Sequence, residues 1–165
     1  PGEDISWHKH GEEEAAYSLE GLKSESILLF GRVTYEMMAS YWPTPMALQN
    51  MPEVAQGMNN AEKIVFSRTL KKAEWNNTKV VKANIVEEIR SLKRTSKKDM
   101  TILGSGSIVT QCADAGLIDT YLIMLDPVAI ANGTPLFNGL KNNLNLKLVA
   151  TRSFKSGVLL LEYAP

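Results

Sequence analysis

Short apolar runs alternate with helical patterns along this chain, and the alternation constrains the fold more than any other feature of the sequence. Residues 26–30 (Ser-Ile-Leu-Leu-Phe) form the clearest run, of the kind found in strands buried on both faces of a parallel sheet. Right-handed connections between such strands place helices on both faces of the sheet. We therefore predict a three-layer α/β fold with a mainly parallel central sheet, helices on both faces and an antiparallel C-terminal hairpin.

The individual elements are predicted from periodicity and turn signals. Helices are expected over residues 12–23, 33–40 and 107–115, and from Asn84 onward, where Glu87 completes a capping box. Strands are expected over residues 26–30, 63–67, 78–81, 100–103, 120–125, 146–153 and 158–163. Gly116 occupies the position of a left-handed helix stop, and Lys155-Ser156-Gly157 separates the last two strands at hairpin spacing.

Composition excludes several classes of protein and partner. Residues 1–165 contain neither a repeat nor a Gly/Ser linker, so we expect one domain. The single cysteine, Cys112, excludes an internal disulfide and is expected to be a buried small residue. Lys plus Arg total 18, as do Asp plus Glu, and this balance argues against nucleic-acid and membrane partners. No apolar run approaches the ~20 residues of a membrane span, so a cytoplasmic location is expected.

The first of three strand ends with phosphate-binding chemistry follows residues 26–30. Gly31 permits a tight turn and the close approach of a ligand, and the next helix opens with free amides at the positive end of its dipole. Arg32 and Thr34 add a guanidinium and a hydroxyl. The alternative is a plain helix start in which Arg32 pairs with Glu36 one turn later.

The second strand end holds Ser67 and Arg68, a hydroxyl and a planar guanidinium that match a phosphate monoester. In dinucleotide-binding folds an acid near this place accepts the ribose 2′-hydroxyl of NAD, whereas an arginine accommodates the 2′-phosphate of NADP. The nearest following acid is Glu74, so the segment favours NADP. An exposed loop cation is the alternative for Arg68.

The third strand end is Gly104-Ser105-Gly106-Ser107, whose backbone amides could cradle a pyrophosphate. No glycine follows three residues after Gly106, and the Lys-Ser/Thr of a nucleoside-triphosphatase loop is absent, so neither familiar fingerprint is complete. A plain tight turn is the alternative. Because ligands of such sheets bind outside the carboxyl ends of the strands, the three segments together predict one dinucleotide site.

Several motifs together resemble the dihydrofolate-reductase-like superfamily, and more closely the branch of the riboflavin-biosynthesis reductase domain and its small bacterial relatives. They include residues 29–36 (Leu-Phe-Gly-Arg-Val-Thr-Tyr-Glu), 41–43, 63–70, 74–78, 102–107, 116–119, 133–137 (Gly-Thr-Pro-Leu-Phe) and 157–163. The resemblance implies an oxidoreductase that binds NADPH and transfers hydride to a small heterocyclic or ribosylated substrate, often as a homodimer. It also implies three groups of cofactor contacts: Gly31, Arg32 and Thr34 with phosphates, Ser67 and Arg68 with the 2′-phosphate, and Gly104, Ser105, Gly106 and Ser107 with the pyrophosphate.

Members of this branch usually open with a central strand that ends in a Ser-Leu-Asp-Gly-like turn beside the nicotinamide. The present sequence starts after that position, so the domain is expected to lack its first strand here, and an upstream segment is expected to supply it. No catalytic proton donor is identified. Asp4 and Trp7 are candidates for substrate binding and Asp126 ends a strand, although each could be structural.

Three functions remain open. The favoured one is the NADPH-dependent reductase, and the rivals are true dihydrofolate reduction and a nucleotide-binding relative without turnover. His8 and His10, followed by three glutamates, could suggest a metal, but their spacing provides no closed zinc-like ligand set. We therefore predict no metal site.

Overall fold

A computed structural model describes residues 7–8 and 11–165 of the chain. Its helices are α1 (Glu12–Lys23), α2 (Arg32–Tyr41), α3 (Pro45–Asn50), α4 (Pro52–Asn60), α5 (Ile85–Thr95) and α6 (Gly106–Asp114). Its strands are β1 (Ile27–Gly31), β2 (Lys63–Phe66), β3 (Thr78–Val81), β4 (Met100–Ile102), β5 (Tyr121–Leu125), β6 (Lys147–Ser153) and β7 (Leu159–Ala164).

Four strands form a parallel sheet in the order β3-β2-β1-β4. Side chains of β1 alternate between its faces, and both faces are buried. Leu29 belongs to an apolar cluster that includes Ile89 of α5 and Ile108 of α6. Phe30 belongs to a second cluster that includes Met58 of α4 and Tyr35 of α2. The predicted α/β class, with helices on both faces of a parallel sheet, is therefore confirmed.

The remaining strands form a separate antiparallel sheet in the order β5-β7-β6. β6 and β7 are the predicted hairpin, closed by a hydrogen bond of 2.9 Å from the Phe154 amide to the Val158 carbonyl. The strand predicted over residues 120–125 is present as β5, but it is not buried on both faces as its apolar composition suggests. Leu122 and Leu125 are each 54% exposed, because β5 is an edge strand and its sheet is covered less completely than the parallel one.

The first turn of α1 joins the helical layer to the antiparallel sheet. A Glu13 carboxylate oxygen accepts a hydrogen bond of 2.8 Å from the Lys155 amide at the hairpin turn. The buried Glu14 carboxylate accepts one from the Ser156 hydroxyl in the same turn. These two glutamates therefore link the hairpin turn to α1. Among the described residues, no group of three or more His, Cys, Asp or Glu side chains is arranged to hold a metal ion.

Local sequence signals predicted several helix ends correctly, whereas the prolines that begin two other helices did not lead to a prediction. The Asn84 side chain accepts a hydrogen bond of 3.2 Å from the Glu87 amide, and Gly116 has a φ of +62°, so the predicted N-cap and helix stop are confirmed. The Glu87 carboxylate, predicted to complete a capping box, pairs with Arg90 at 2.8 Å. Helices α3 and α4 were not predicted, although each begins with a proline, a residue suited to the first helical position. None of the described helices has the length and apolar character needed to cross a bilayer.

Candidate functional site

The parallel sheet brings the three predicted strand ends side by side. β1 lies between β2 and β4, so the turns that follow these strands meet at its carboxyl edge. In the register, Gly31 stands opposite Phe66, the residue before Ser67. Leu29 stands opposite Ile102, two residues before Gly104.

A direct hydrogen bond joins the first and third turns. The Gly31 amide donates to the Ser105 hydroxyl oxygen at 2.8 Å across 74 residues of sequence. Ser105 and Gly104 both have left-handed backbones, with φ of +53° and +62°. A Cβ on Gly104 would lie 3.6 Å from the Thr34 methyl group, so the two turns also lie close together there. The two turns therefore form one surface.

Two of the helices that start at this edge, α2 and α6, have no side-chain cap. Gly31 has no side chain with which to cap α2, and the Ser105 hydroxyl faces Gly31 instead of the first turn of α6. By contrast, Thr44 and Asn84 cap α3 and α5. In α6 the Ile108 amide already donates to the Ser105 carbonyl at 2.8 Å. The first amides of α2 and α6, such as those of Gly106 and Ser107, have no carbonyl acceptor within their own helix, and they suit an anion.

The charged and hydroxyl side chains at the edge differ in whether they already have an ion-pair or hydrogen-bond partner. Arg32 pairs with Glu36 at 2.6 Å, which is the alternative considered for it. The Ser67 hydroxyl oxygen accepts a hydrogen bond of 3.0 Å from the Leu70 amide and so stabilises its own turn. Arg68 is exposed, and no side chain in the described part of the chain pairs with it. Of the two arginines at this edge, Arg32 therefore forms an ion pair and Arg68 forms none within the described residues.

Gly106 and Ser107 begin α6, beneath a long connecting loop. A Cβ on Gly106 would lie 3.4 Å from the Leu136 carbonyl oxygen, so residues 133–137 pass close to the third turn. The Ser107 carbonyl accepts a hydrogen bond from Gln111, and its side chain is exposed. One cavity of about 440 Å³ lies along residues 137–146, and another of about 310 Å³ lies beside α6. No residue of the three turns lines either cavity.

A histidine–carboxylate pair that sequence reasoning missed lies on the same side of the fold. His8 Nδ1 is 2.7 Å from Asp126 Oδ1, across 118 residues of sequence, and both side chains are largely buried. A carboxylate only accepts hydrogen bonds, so Nδ1 carries the proton in this pair. Trp7 packs edge-on against His8, with ring centroids 6.1 Å apart. The pair therefore holds Trp7 and Asp126 together, while Asp4 lies outside the described residues.

Chain connectivity places this pair on the same side of the fold as the carboxyl edge of the parallel sheet. α6 runs back from that edge, so β5 runs toward it and ends next to Asp126. The hairpin turn that contacts α1 lies beside the same end, because Leu125 stands opposite Leu159. Spacing along the sequence carries no signal for a contact between residues so far apart.

Two further titratable groups are buried away from the edge. Burial lowers the pKa of the Lys63 ammonium to about 8, and Nζ donates hydrogen bonds to three carbonyls, those of Met58, Asn59 and Ala61. Nζ also lies 4.5 Å from the centre of the Trp75 ring. Burial raises the pKa of the Cys112 thiol to about 11, as expected for an inert core cysteine. Both residues therefore stabilise the fold.

Comparison with known proteins identifies similar chains. The sequence model of the family described as the RibD C-terminal domain matches residues 2–160. The chain is 33% identical to the uncharacterized protein YyaP of Bacillus subtilis over 136 residues, which is 82% of this chain and 72% of that one.

Solved structures show the same fold at low sequence identity. A protein named for riboflavin biosynthesis in Shewanella sp. PV-4 aligns with a TM-score of 0.68 at 20% identity, over 98% of this chain and 82% of that one. A diaminohydroxyphosphoribosylaminopyrimidine deaminase/5-amino-6-(5-phosphoribosylamino)uracil reductase of Thermotoga maritima aligns with a TM-score of 0.64 at 15% identity. That alignment covers 94% of this chain and 49% of the Thermotoga chain.

Proposed function

Because this chain belongs to the RibD C-terminal domain family, we propose that it is an NADPH-dependent reductase that acts on a small heterocyclic or ribosylated substrate. The hydrogen bond between Gly31 and Ser105 carries the proposal, since it makes one surface of two turns with phosphate-binding chemistry. The name of the Thermotoga protein, a phosphoribosylaminouracil reductase, supports a ribosylated pyrimidine as the substrate class. In open α/β sheets, ligands bind outside the carboxyl ends of the parallel strands.

The residues at the edge fit a dinucleotide phosphate. The first-turn amides of α2 and α6, together with the left-handed pair Gly104 and Ser105, suit a pyrophosphate that needs many donors in a small space. Arg68 suits the 2′-phosphate of NADPH, because its guanidinium is exposed and forms no ion pair within the described chain. The nearby Glu74, which would be needed to favour NADH, is instead exposed and paired with Lys72.

When bound, NADPH supplies a hydride to one atom of the substrate double bond, and the other atom of that bond then needs a proton. We propose that His8 donates this proton. Asp126 holds the ring in a fixed orientation by accepting a hydrogen bond from Nδ1. In this scheme the hydride and the proton add across one double bond, and the His8 ring recovers a proton from solvent. Asp126 acts as a positioning residue because it touches the substrate only through His8.

Cofactor titration tests the proposed function. We expect NADPH to bind at least about tenfold more tightly than NADH, a difference of about 1.4 kcal/mol in binding free energy. The quenching of tryptophan fluorescence by each cofactor measures the two dissociation constants. Turnover is then followed as loss of NADPH absorbance with ribosylated pyrimidines and with dihydrofolate. Turnover with dihydrofolate alone would favour dihydrofolate reduction, and tight binding without turnover would favour a nucleotide-binding relative. Failure of NADPH to bind would contradict the proposal.

Substitution of His8 tests the proton assignment separately. We expect His8→Gln to lower kcat by about 10²–10⁴-fold, the usual contribution of general acid catalysis, with the Kd for NADPH unchanged. Asp126→Asn should lower kcat less, because the ring remains but loses its orientation. Asp119→Asn, which removes a largely exposed carboxylate between α6 and β5, is the control and should leave kcat unchanged. Full turnover in His8→Gln would overturn the assignment and leave NADPH binding untouched.

A further inference from the structure

The turn of the C-terminal hairpin lies between the two segments that carry the histidine–carboxylate pair. On one side, a Cβ on Gly157 would lie 3.3 Å from Cγ of Pro127, which directly follows the carboxylate of the pair. On the other side, the Ser156 hydroxyl donates a hydrogen bond to the Glu14 carboxylate in the first turn of α1. The same turn therefore contacts both flanks of the pair.

The hydrogen bonds of Ser156 fix the direction of its proton. The hydroxyl oxygen accepts a hydrogen bond of 3.2 Å from the Val158 amide. A hydroxyl group has one proton to donate, and in Ser156 this proton goes to Glu14. The amide, the hydroxyl and the carboxylate thus form a chain of hydrogen bonds in which each bond polarises the next. We call Glu14 and Ser156 the latch.

The carboxylate of the latch is enclosed, although a carboxylate is costly to bury. Glu14 is 1% exposed. A Cβ on Gly11 would lie 2.5 Å from Glu14 Oε2, so the carboxylate lies directly against the backbone at the start of α1. A hydrogen bond is directional, whereas an apolar contact is not. The latch therefore fixes where the start of α1 lies relative to the hairpin.

The histidine of the pair is tethered closely to the latch. His8 lies three residues before Gly11, and three residues of chain span at most about 11 Å. The His8 ring is hydrogen-bonded to Asp126 at 2.7 Å, and Asp126 is followed by Pro127, which contacts the hairpin turn. The proton donor and its acceptor are therefore each anchored within a few residues to the same turn.

Proton transfer depends strongly on such anchoring. A general acid acts when its ring lies within hydrogen-bond reach of the atom that it protonates, about 2.6–3.2 Å away. A misplacement of about 1 Å can lower the rate about 10²-fold. The bond to Asp126 orients the His8 ring, and the latch restrains the chain segment that carries the ring.

We propose that Glu14 and Ser156 are positioning residues that hold His8 in place for proton transfer. This inference rests on the proposed function, in which His8 is the proton donor. The latch acts through His8, because it joins the start of α1 to the hairpin and not to the three turns of the carboxyl edge. It therefore affects the proton step and leaves the binding of NADPH unchanged.

The exchange of the His8 ring proton with solvent, followed by NMR, tests the latch without turnover. We expect the Nδ1 proton to exchange at least about tenfold faster in Ser156→Ala, because a hydrogen bond to a charged group shifts a local opening equilibrium by at least that factor. The chain contains two histidines, and the spectrum of His8→Gln identifies the signal. Ser156→Thr keeps the hydroxyl and should restore slow exchange.

Gly11→Ala disrupts the latch from the other side. Its methyl group would occupy the space of the Glu14 carboxylate, whereas the φ of −90° and ψ of 174° at Gly11 suit alanine. We expect the same faster exchange as in Ser156→Ala. Lys155→Ala is the matched control, because it removes a 91% exposed side chain from the same turn and keeps the backbone amide that bonds to Glu13. It should exchange like the wild type.

Steady-state kinetics shows whether the latch acts through His8. We expect Ser156→Ala to lower kcat about 10–100-fold, with KM and the Kd for NADPH unchanged. In a His8→Gln background the same substitution should lower kcat no further, because residues that act through one group are not additive. Far-UV circular dichroism verifies that each variant is folded.

The outcomes separate this inference from the proposed function. Unchanged ring-proton exchange in both Ser156→Ala and Gly11→Ala would overturn the latch, even where His8→Gln loses turnover. A further loss of kcat on adding Ser156→Ala to His8→Gln would also overturn it. Full turnover in His8→Gln would instead overturn the proton assignment of the proposed function, whatever the exchange rates are.

Discussion

Replacing Arg68 with alanine is expected to abolish the preference for NADPH over NADH. The guanidinium is the charged fork that would meet the 2′-phosphate, and a hydrogen bond to a charged group contributes about 1.5–3 kcal/mol. We therefore expect the Kd for NADPH to rise about 10–100-fold and the Kd for NADH to stay the same. Fluorescence titration with both cofactors measures the two constants directly.

Matched variants separate a specific contact from a general effect of charge. Arg68→Lys keeps the charge and loses the planar fork, so its affinity for NADPH should lie between those of the wild type and Arg68→Ala. Arg90→Ala removes a similarly exposed arginine that pairs with Glu87 on α5, and it should change neither constant. An equal loss of affinity for NADPH and NADH in Arg68→Ala would contradict the assignment of the 2′-phosphate.

Replacing Lys63 with methionine is expected to produce the largest loss of stability. The wild-type ammonium satisfies three carbonyls, two of them at the end of α4, and has no exposed surface. Methionine fills similar space but leaves those carbonyls without a donor, and each buried unsatisfied group costs about 1–3 kcal/mol. Because methionine also avoids the desolvation of a charge, we expect a net loss of about 2–4 kcal/mol near pH 7, measured by urea unfolding.

The pH dependence of the same pair of proteins tests the lowered pKa of Lys63. In the unfolded chain a lysine titrates near pH 10.4, whereas in the folded chain Lys63 titrates at about 8. Between these values the unfolded chain binds more protons, so the wild-type free energy of unfolding rises with pH. The gap between wild type and Lys63→Met should widen by up to about 3 kcal/mol from pH 7 to pH 10.

A lysine on the neighbouring strand provides the control for this experiment. Lys79→Met removes a largely exposed ammonium that pairs with Glu88 on α5. We expect this variant to unfold within about 0.5 kcal/mol of the wild type, because exposed ion pairs contribute little. A gap between wild type and Lys63→Met that stays constant with pH would show that Lys63 titrates normally in the folded chain.

Local sequence signals predicted the strands and four of the six helices described, because the interactions that these signals report are local. The continuous apolar run of β1 reports burial on both sheet faces, and Asn84 and Gly116 report a helix start and a helix stop. The shared edge of the three turns also followed, since the carboxyl ends of neighbouring parallel strands meet. Short helices such as α3 were missed because two turns are too few for a periodic pattern.

The burial of Lys63 and the division into two sheets depend on tertiary structure. Lys63 opens a strand, where a lysine is ordinarily exposed, and only the packing of α4 and Trp75 encloses it. Similarly, β5 has the composition of a core strand, yet it lies at the edge of a second sheet.

The amino-acid sequence by itself determined the alternation of elements, several helix ends and the glycine, hydroxyl and guanidinium groups of three turns, because each depends on residues within a few positions of one another. Only the tertiary structure decided that the Ser105 hydroxyl accepts a hydrogen bond from the Gly31 amide and that the Asp126 carboxylate is hydrogen-bonded to His8. These contacts join residues that are distant in the chain, and their free energy depends on the packing of whole layers, which no local pattern encodes.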